Sequence, residues 1–408
     1  MNILINSKVA LAAMNNLSCG MKGTSLIELS VVKDSNNSML SLRSDGDFDT
    51  YVNINEFSVE NEGQMSVVFD DTFIKAVNTL TKLSDSIKIE LDETKAILTA
   101  GTGRLIVSYT DKSLSDLPEL DVLGSFTIDS KDFKKGLNSV KHCIVSSNKD
   151  INWTNCLGII PIPKDNTAAI RFAGYSVFGI AVSEASVGNC QFKQDMPSMA
   201  IPINIATKIS SILTNEGGNV NVAVMCLKDS DKASVVLFRT INCIIAAPLI
   251  TGGYGKVEEY PYSLRKTCEF KAAINKYEFI EALNVLKVAD SEKVLIFIED
   301  GQIKLADKTK ENFVELTAEF KGDTKELVYV PNILSTVVEK YSGDTILFQS
   351  NGYMLRGENK VPASDLISVI SSYDEEAIEC TLLTPAISVA TQKAQYAANK
   401  QKNEQEEN

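Results

Sequence analysis

Three stretches of the chain share one pattern, in which an apolar strand ends in Asp or Pro and is followed by a helix and a pair of strands. The strands begin at Val67, Met199 and Val328. Apolar residues at helical spacing follow each strand: Phe73, Ile74, Val77 and Leu80; Ile205, Ile209 and Ile212; Ile333, Leu334, Val337 and Val338. The three starts lie roughly 130 residues apart, which is the size of a domain rather than of a solenoid repeat.

A second kind of helix also recurs three times. Apolar strands at 1–5, 126–128 and 270–274 precede predicted helices at 9–17, 133–140 and 279–286. The remaining short alternating runs, joined by polar turns, are typical of antiparallel meanders. We therefore predict an α+β fold built from three tandem copies of one domain, each with two helices covering one face of antiparallel sheets.

The predicted domain boundaries fall in passages that interrupt this pattern. One lies near 113–120, which contains Pro118, and the other near 252–262, where glycines and Pro261 occur. The predicted domains are 1–122, 123–262 and 263–373. From 374 to 408 the sequence becomes polar, so we expect a disordered tail in which only 388–400 suits a helix.

Composition excludes several classes of protein. No apolar run in the 408 residues approaches the roughly 20 that a membrane span needs, and no signal peptide is evident, so we expect a cytoplasmic protein. The eight cysteines include no Cys-x-x-Cys pair, which indicates reduced thiols. Because His142 is the single histidine, zinc sites and histidine catalysis lack their usual residues. We expect no cofactor, no metal and no enzymatic activity.

Two short motifs have alternative interpretations. Residues 45–56 place carboxylates and amides at several positions of a calcium-binding loop, but position 6 is not glycine and strands rather than helices flank it. An acidic turn between strands fits better. Residues 252–257 have the composition of a phosphate-binding loop without its spacing.

Several segments carry a resemblance to a known family. In chain order these are the glycine and arginine strand at 101–105, the closure at 116–120, the strand and helix at 126–133, and the glycine-containing run at 172–181. In their order and spacing they resemble the bacterial DNA polymerase III beta subunit, the sliding clamp, and the resemblance reaches Tyr373. It implies a ring of two protomers joined head to tail, with the helices facing a central hole that holds duplex DNA.

The distribution of lysines tests this interpretation, because the net charge of -13 is acidic. Helices that line such a hole need cations toward the phosphates, and contacts to phosphates alone leave the base sequence unread. The DNA-facing residues that we predict are Lys8, Lys22, Lys75, Lys82, Lys131, Lys134, Lys135, Lys141, Lys208, Lys276, Lys287 and Lys340. Lysines are also typical of any solvated helix face, so this set depends on the resemblance.

The resemblance further implies a pocket for short apolar peptides of polymerases and clamp loaders. Carried over by motif, its predicted residues are Gly174, Tyr175, Ser176, Val177, Tyr254 and Ile370. Tyr175 and Ser176 replace the family's His and Arg, and 254–257 replaces a Phe-Pro-Asp-Tyr run, so the pocket has diverged. The family's chain end resembles 369–373 here, and we expect the tail from 374 to emerge beside the pocket and to modulate access.

These observations predict a DNA polymerase processivity factor that encircles duplex DNA as a homodimer and tethers the polymerase and other partners. A non-enzymatic structural or assembly protein, such as a phage or surface component, is the alternative from another class. It would share the repeats, but it has no need to place lysines on every helix.

Overall fold

The structure is a computed structural model of the chain. It describes residues 1–35, 37–116, 118–146, 151–162, 168–192, 196–250, 252–289, 292–324, 326–341, 343–351, 353–356, 359–362, 368–373 and 379–383. Within these ranges, no helix is both long enough and apolar enough to cross a membrane. The same residues contain no group of His, Cys, Asp or Glu side chains that could hold a metal ion.

The helices and strands follow one another in a regular order. The helices are α1 (Ser7–Gly20), α2 (Thr72–Leu80), α3 (Ser130–Val140), α4 (Ile203–Glu216), α5 (Glu259–Thr267), α6 (Lys276–Val288) and α7 (Pro331–Lys340). The first strands are β1 (Asn2–Asn6), β2 (Ile27–Lys33), β3 (Ser38–Ser44), β4 (Asp49–Ile54), β5 (Phe57–Val59), β6 (Gly63–Phe69), β7 (Ser86–Leu91), β8 (Lys95–Ala100), β9 (Gly103–Ser108), β10 (Leu120–Asp129), β11 (Cys156–Ile162), β12 (Ala168–Ser176), β13 (Gly179–Phe192) and β14 (Met199–Pro202). The later strands are β15 (Asn219–Leu227), β16 (Ala233–Arg239), β17 (Cys243–Pro248), β18 (Phe270–Asn275), β19 (Val294–Glu299), β20 (Gln302–Ala306), β21 (Phe313–Leu316), β22 (Ala318–Lys321), β23 (Leu327–Tyr329), β24 (Thr345–Ser350), β25 (Tyr353–Arg356), β26 (Asn359–Pro362), β27 (Ser368–Ser372) and β28 (Glu379–Leu383).

One motif, a strand followed by a helix and three more strands, recurs along the chain. It runs β1-α1-β2-β3-β4 and β6-α2-β7-β8-β9 in the first part, then β10-α3-β11-β12-β13 and β14-α4-β15-β16-β17. The last two occurrences are β18-α6-β19-β20-β21 and β23-α7-β24-β27-β28, with the hairpin β25-β26 inserted. The predicted α+β repeat is therefore confirmed, and its sub-repeat is half the predicted length.

The residue at each strand end explains why a helix begins there. The Asn6 side chain accepts a hydrogen bond from the backbone of Lys8, and Asn275 accepts two, from Tyr277 and Glu278. Such caps satisfy amides that have no partner inside the helix. Pro331 occupies the first turn of α7, where a missing amide hydrogen costs nothing.

One sequence prediction is wrong, and one helix is not predicted. Helix α5 lies in the passage around Pro261 that is predicted as a boundary, and it forms there because Pro261 lies in the first helical turn, where proline is tolerated. The predicted tail begins too early, because residues 379–383 form strand β28, which is buried in a sheet. The helix predicted at 388–400 lies outside the described residues.

The contacts divide the chain into two compact units. Unit 1 comprises Met1–Lys134, Asp165–Ala168 and Val187–Gly253, and unit 2 comprises Lys135–Lys164, Ala169–Ser186 and Tyr254–Asn408. Helix α3 and strand β13 each have residues in both units. Strand β13 pairs with β10 at one end and with β28 at the other. The predicted boundaries at 122 and 262 remain predictions.

Unit 1 contains two antiparallel sheets. One has the order β5-β1-β7-β8-β9. In the other, β6, β2, β3, β4, β17, β16, β15 and β10 are successive neighbours. The rings of Phe69 and Phe73 stack at 4.3 Å in the core, and each buried side chain of this size contributes about 1.5–3 kcal/mol.

Unit 2 repeats this arrangement. Strands β18, β24, β27, β28 and β13 form one antiparallel ladder, and β21, β20, β19 and β23 form a second sheet. Phe270, Phe279, Tyr329 and Phe348 are buried in its core. All eight cysteines are free thiols in the structure, and six of them are buried.

We expect Gly136→Ala to destabilise the protein. A Cβ at Gly136 in α3 would lie 2.2 Å from the ring of Phe172, which is fully buried and cannot move aside. A contact this short belongs at the upper end of the range for overpacking, about 3 kcal/mol, against about 1 kcal/mol that alanine gains over glycine in a helix, so the free energy of unfolding should fall by about 2 kcal/mol. Denaturant unfolding measures this change.

Gly23→Ala is the matched control, because a Cβ there meets nothing within 4 Å. Its free energy of unfolding should stay within about 0.5 kcal/mol of the parent value. A Gly136→Ala variant as stable as the parent would show that α3 and β12 do not pack as described.

Candidate functional site

The predicted DNA-facing lysines lie on or directly beside the helices. Nine of them are exposed: Lys8, Lys22, Lys75, Lys82, Lys131, Lys134, Lys135, Lys141 and Lys340. The other three, Lys208, Lys276 and Lys287, are half-buried. Helix α3 shows the pattern most clearly, because Lys131 and Lys134 are exposed whereas Phe133 and Leu137 are buried.

Some of these ammonium groups already have partners. Lys22 and Lys208 both pair with Asp47, at 2.8 and 2.7 Å. Partial burial opposes ionisation of Asp47, but the hydrogen bonds from Lys208 and Lys22 outweigh it and lower the pKa of this carboxyl below its ordinary value. Residues 45–48 form the turn that leads from β3 into β4, and residues 49–54 are β4 itself, so the acidic turn between strands lies at the start of this motif.

Four further lysines each form an ion pair or a hydrogen bond with a residue of their own unit. Lys75 pairs with Asp71 at 2.6 Å, and Lys135 lies 3.4 Å from the buried carboxylate of Glu379. The ammonium group of Lys276 donates to the carbonyl of Tyr341, and that of Lys287 donates to the hydroxyl of Ser335. Lys75 makes its contact within the first turn of its own helix, whereas the other three lysines contact residues of other elements. All four would have to share or exchange these contacts to bind a ligand.

The remaining six predicted lysines carry charge that is not neutralised locally. Within the described part of the chain, their ammonium groups form no ion pair and no hydrogen bond: Lys8, Lys82, Lys131, Lys134, Lys141 and Lys340. They follow or belong to α1, α2, α3 and α7. The helices thus present free cations in a chain whose net charge is -13.

A polar network lies at the end of α3 in unit 2. The Nε2 atom of His142 lies 3.2 Å from the hydroxyl of Thr381 in β28, and Tyr341 also contacts this hydroxyl. Ser139 donates to Glu379 in the same strand. Burial, and then the charge of Lys340, lower the pKa of His142 to about 4, so the imidazole is neutral at pH 7.

An aromatic cluster occupies part of the predicted peptide pocket in unit 2. The ring of Trp153 lies 5.3 Å from that of Tyr175 and 5.3 Å from that of Tyr254, centroid to centroid. Tyr254 is buried, which raises the pKa of its phenol far above the ordinary value and keeps it neutral. A Cβ at Gly158 would lie 2.7 Å from the ring of Tyr254, so this glycine makes room for the cluster.

The other predicted pocket residues divide into two groups. Gly174 and Ser176 lie on β12 next to Tyr175, and Val177 is half-buried in the turn that leads to β13. Ile370 is not part of this site, and its assignment was wrong. Its side chain is fully buried in the core of unit 2 because both faces of β27 are covered.

Strand β28 corrects the prediction for the chain end. Leu383 pairs with Gly179, directly after the turn that contains Val177. The strand that ends beside the predicted pocket is therefore β28 and not the strand at 369–373. Removing 374–408 would delete a paired strand, so a truncation that tests the tail must begin after Leu383.

Trp153 and β28 lie beside predicted pocket residues, and neither was predicted from the sequence. Trp153 precedes β11 in a segment without a motif, and its one signal is that it is the single tryptophan of the chain. The signal for β28 was the short run 380–383, which is apolar or uncharged and follows acidic residues. Neither signal can be interpreted without knowing which residues lie beside Trp153 and β28 in the folded protein.

The repeated motif, with a helix after its first strand, and the paired sheets define the fold of a DNA sliding clamp. No protein-family model matches the chain, and no curated protein matches its sequence. Solved bacterial clamps match it over nearly the full length of both chains. The DNA polymerase sliding clamp of Bacillus subtilis matches with a TM-score of 0.75 at 14% identity, covering 95% of this chain and 99% of that one.

Two further structures agree. The DNA polymerase beta subunit of Streptococcus pyogenes matches with a TM-score of 0.73 at 14% identity and covers 95% of this chain and 100% of its own. The sliding clamp of Bartonella birtlesii, solved with griselimycin bound, matches with a TM-score of 0.71 at 16% identity and covers 95% and 99%. The predicted resemblance to DNA polymerase III beta subunits is thus confirmed, as that of a diverged chain with the same fold.

The neutral state of His142 predicts a pH dependence of stability. Its pKa is about 4 in the folded protein and about 6.5 when unfolded, so the unfolded chain binds the proton more readily. The contribution of His142 to the free energy of unfolding is complete above about pH 6.5 and is lost as the pH falls toward 4. At pH 5 the loss is on the order of 1–2 kcal/mol.

Denaturant unfolding at pH 7 and pH 5 measures this loss in the parent protein and in His142→Gln, which cannot titrate in this range. We expect the parent to lose more stability than the variant between the two pH values. Equal losses would mean that the imidazole is not held neutral against Thr381.

Proposed function

We propose that this chain is a DNA polymerase processivity factor. Two copies join head to tail into a ring that encircles duplex DNA in the cytoplasm and tethers a polymerase through a peptide pocket. The ring performs no chemistry, because its effect is topological. The observation that carries this proposal is a strand pairing that the chain makes twice.

In each occurrence of the motif, the third strand after the helix is an outer strand. Within unit 1, β4 pairs with β17, and within unit 2, β13 pairs with β28. Both pairs join the third strand of one occurrence to the third strand of another. The two third strands left over are β9 and β21, and each is an edge of its sheet. An exposed edge invites pairing with a second chain.

The two edges have the side chains that an interface requires. Ile106 in β9 is 56% exposed and Phe313 in β21 is 50% exposed. Arg104 is exposed on β9 and Glu315 on β21, where Glu315 also pairs with Lys304 at 3.3 Å, so an ion pair between the two edges would share or replace that contact. A groove of about 800 Å³ lies between α2 and β9. Pairing β9 of one copy with β21 of the other would repeat the junction seen within each unit and would close a ring.

Helix packing supports the same arrangement. Where β4 meets β17 in unit 1, α1 packs on α4, and Asn16 donates to Glu216 at 2.7 Å. The corresponding helices at the open edges are α2 and α6. Helix α6 exposes Val288, a residue that is 89% accessible, together with Tyr277 and Val285. A second copy would cover this apolar surface.

The six unpaired lysines supply the DNA-facing charge in this proposal. Contacts from flexible ammonium groups to phosphates read no bases, so such a ring slides along the duplex. The six are Lys8, Lys82, Lys131, Lys134, Lys141 and Lys340. The partnered lysines of the predicted set contribute less, because they would have to exchange one interaction for another.

The aromatic cluster around Trp153 is the proposed anchor site for partner peptides. Half-buried rings next to a turn suit an apolar side chain at low entropic cost. Binding of an apolar polymerase peptide should change the emission of Trp153, the single tryptophan, and Tyr175→Ala should weaken that response. A titration without any change in emission would separate the peptide site from this cluster.

The proposed function predicts topological retention. Duplex DNA is circularised by ligation in the presence of the protein, washed in high salt, and then cut once. We expect the protein to stay on the circle through the wash and to leave on cutting. Salt weakens contacts to phosphates, but it does not remove a closed protein ring from a closed DNA circle. Retention is measured by gel filtration.

A charge-reversed variant with Lys131, Lys134 and Lys340 changed to Glu should trap several-fold less protein on the circle. Its matched control reverses Lys112, Lys232 and Lys256, which are exposed outside the helices, and should trap as much as the parent. Release of the parent by salt alone, or retention on linear DNA equal to that on circles, would contradict the proposal.

A further inference from the structure

A second groove lies in unit 1, on the sheet face that does not carry the helices. Its volume is about 480 Å³. It crosses the strands β10, β15, β16 and β17 and reaches the end of β13. Among the residues that line it are Thr127, Asn189, Gln191, Leu237, Arg239 and Ile244. Neither the DNA-facing lysines nor the aromatic cluster belongs to it.

Strand register places its polar side chains in one row. Thr127 pairs with Asn221, Asn221 with Arg239, and Arg239 with Ile244. Directly paired residues project to the same face of a sheet. The alternate positions, including Phe126 and Phe238, are buried on the opposite face, where Phe238 contacts Phe133 of α3.

A β-bulge shapes one wall of the groove. The register between β10 and β13 shifts, so that Ser125 lies opposite Gln191 and Thr127 opposite Gly188. Asn189 in the bulge has a φ of 45°, a left-handed conformation that asparagine tolerates better than most residues. Bulges of this kind turn side chains toward a site, and here Asn189 and Gln191 border the groove.

The charge of the groove differs from that of the rest of the molecule. Arg239 is exposed, and within the described residues its guanidinium forms no ion pair and no hydrogen bond. The described lining residues include no carboxylate, although the chain has 53 Asp and Glu residues. The groove is therefore a place where an anionic group would meet a free cation without a competing acid.

We propose that this groove binds an extended acidic peptide segment of a partner protein. A carboxylate of the peptide accepts hydrogen bonds from Arg239, and its apolar side chains contact Ala223, Leu237 and Ile244. The amides of Asn189 and Gln191 can donate to and accept from a peptide backbone. A nucleic acid suits the site less well, because it presents a row of phosphates and the groove offers one cation.

The test uses the full-length protein and a fluorescein-labelled peptide in which leucine and glutamate alternate. Fluorescence anisotropy should show saturable binding. Arg239→Gln should weaken binding about tenfold, since a charge-assisted hydrogen bond contributes about that much. A peptide in which glutamine replaces glutamate should also bind about tenfold more weakly to the parent protein.

Lys232→Gln is the matched control, because it removes one exposed positive charge from unit 1 outside the groove. It should leave the dissociation constant unchanged. The proposal is overturned by absence of saturable binding, by equal losses in the two variants, or by equal affinity for the two peptides. Binding of a single-stranded oligonucleotide that depends on Arg239, with no binding of the acidic peptide, would also overturn it.

Discussion

Backbone pairing between third strands is the interaction on which the rest of this structure depends. It joins β4 to β17 and β13 to β28, and in both places main-chain groups make the bonds. Such bonds do not require particular side chains, provided that apolar residues face the core. This explains how the chain keeps the fold of bacterial clamps at 14–16% identity. It also explains why two edges remain available for a second copy.

The sequence predicted the repeat well because each part of the signal is local. Apolar spacing marked the helices from α1 to α7 except α5, and the Asp or Pro at the strand ends marked where α2, α4 and α7 begin. Helix α5 was missed because glycines and a proline normally end a regular element, and here they only precede it or lie in its first turn. Strand β28 was missed because an acidic, polar segment separates it from β27.

The candidate sites were predicted less completely, because they depend on contacts between distant residues. The sequence predicted lysines on the helices. It did not predict that Asp47 binds both Lys22 and Lys208, or that Glu379 lies beside Lys135. Tyr175 and Tyr254 were assigned to the pocket by motif, whereas Trp153 joins them only in the folded protein. Ile370 was assigned to the pocket by position in the chain, but β27 is buried on both faces, so its side chain lies in the core.

If β9 of one copy pairs with β21 of another, the protein is a closed dimer, and its mass in solution shows whether this pairing forms. Light scattering should give twice 44.5 kDa for the parent protein. Ile106→Lys and Phe313→Lys should each give a monomer, and Leu4→Lys, at an exposed apolar residue within the same sheet as Ile106 but not on its open edge, should stay a dimer. A monomeric parent, an open-ended polymer, or edge variants that remain dimeric would contradict the account.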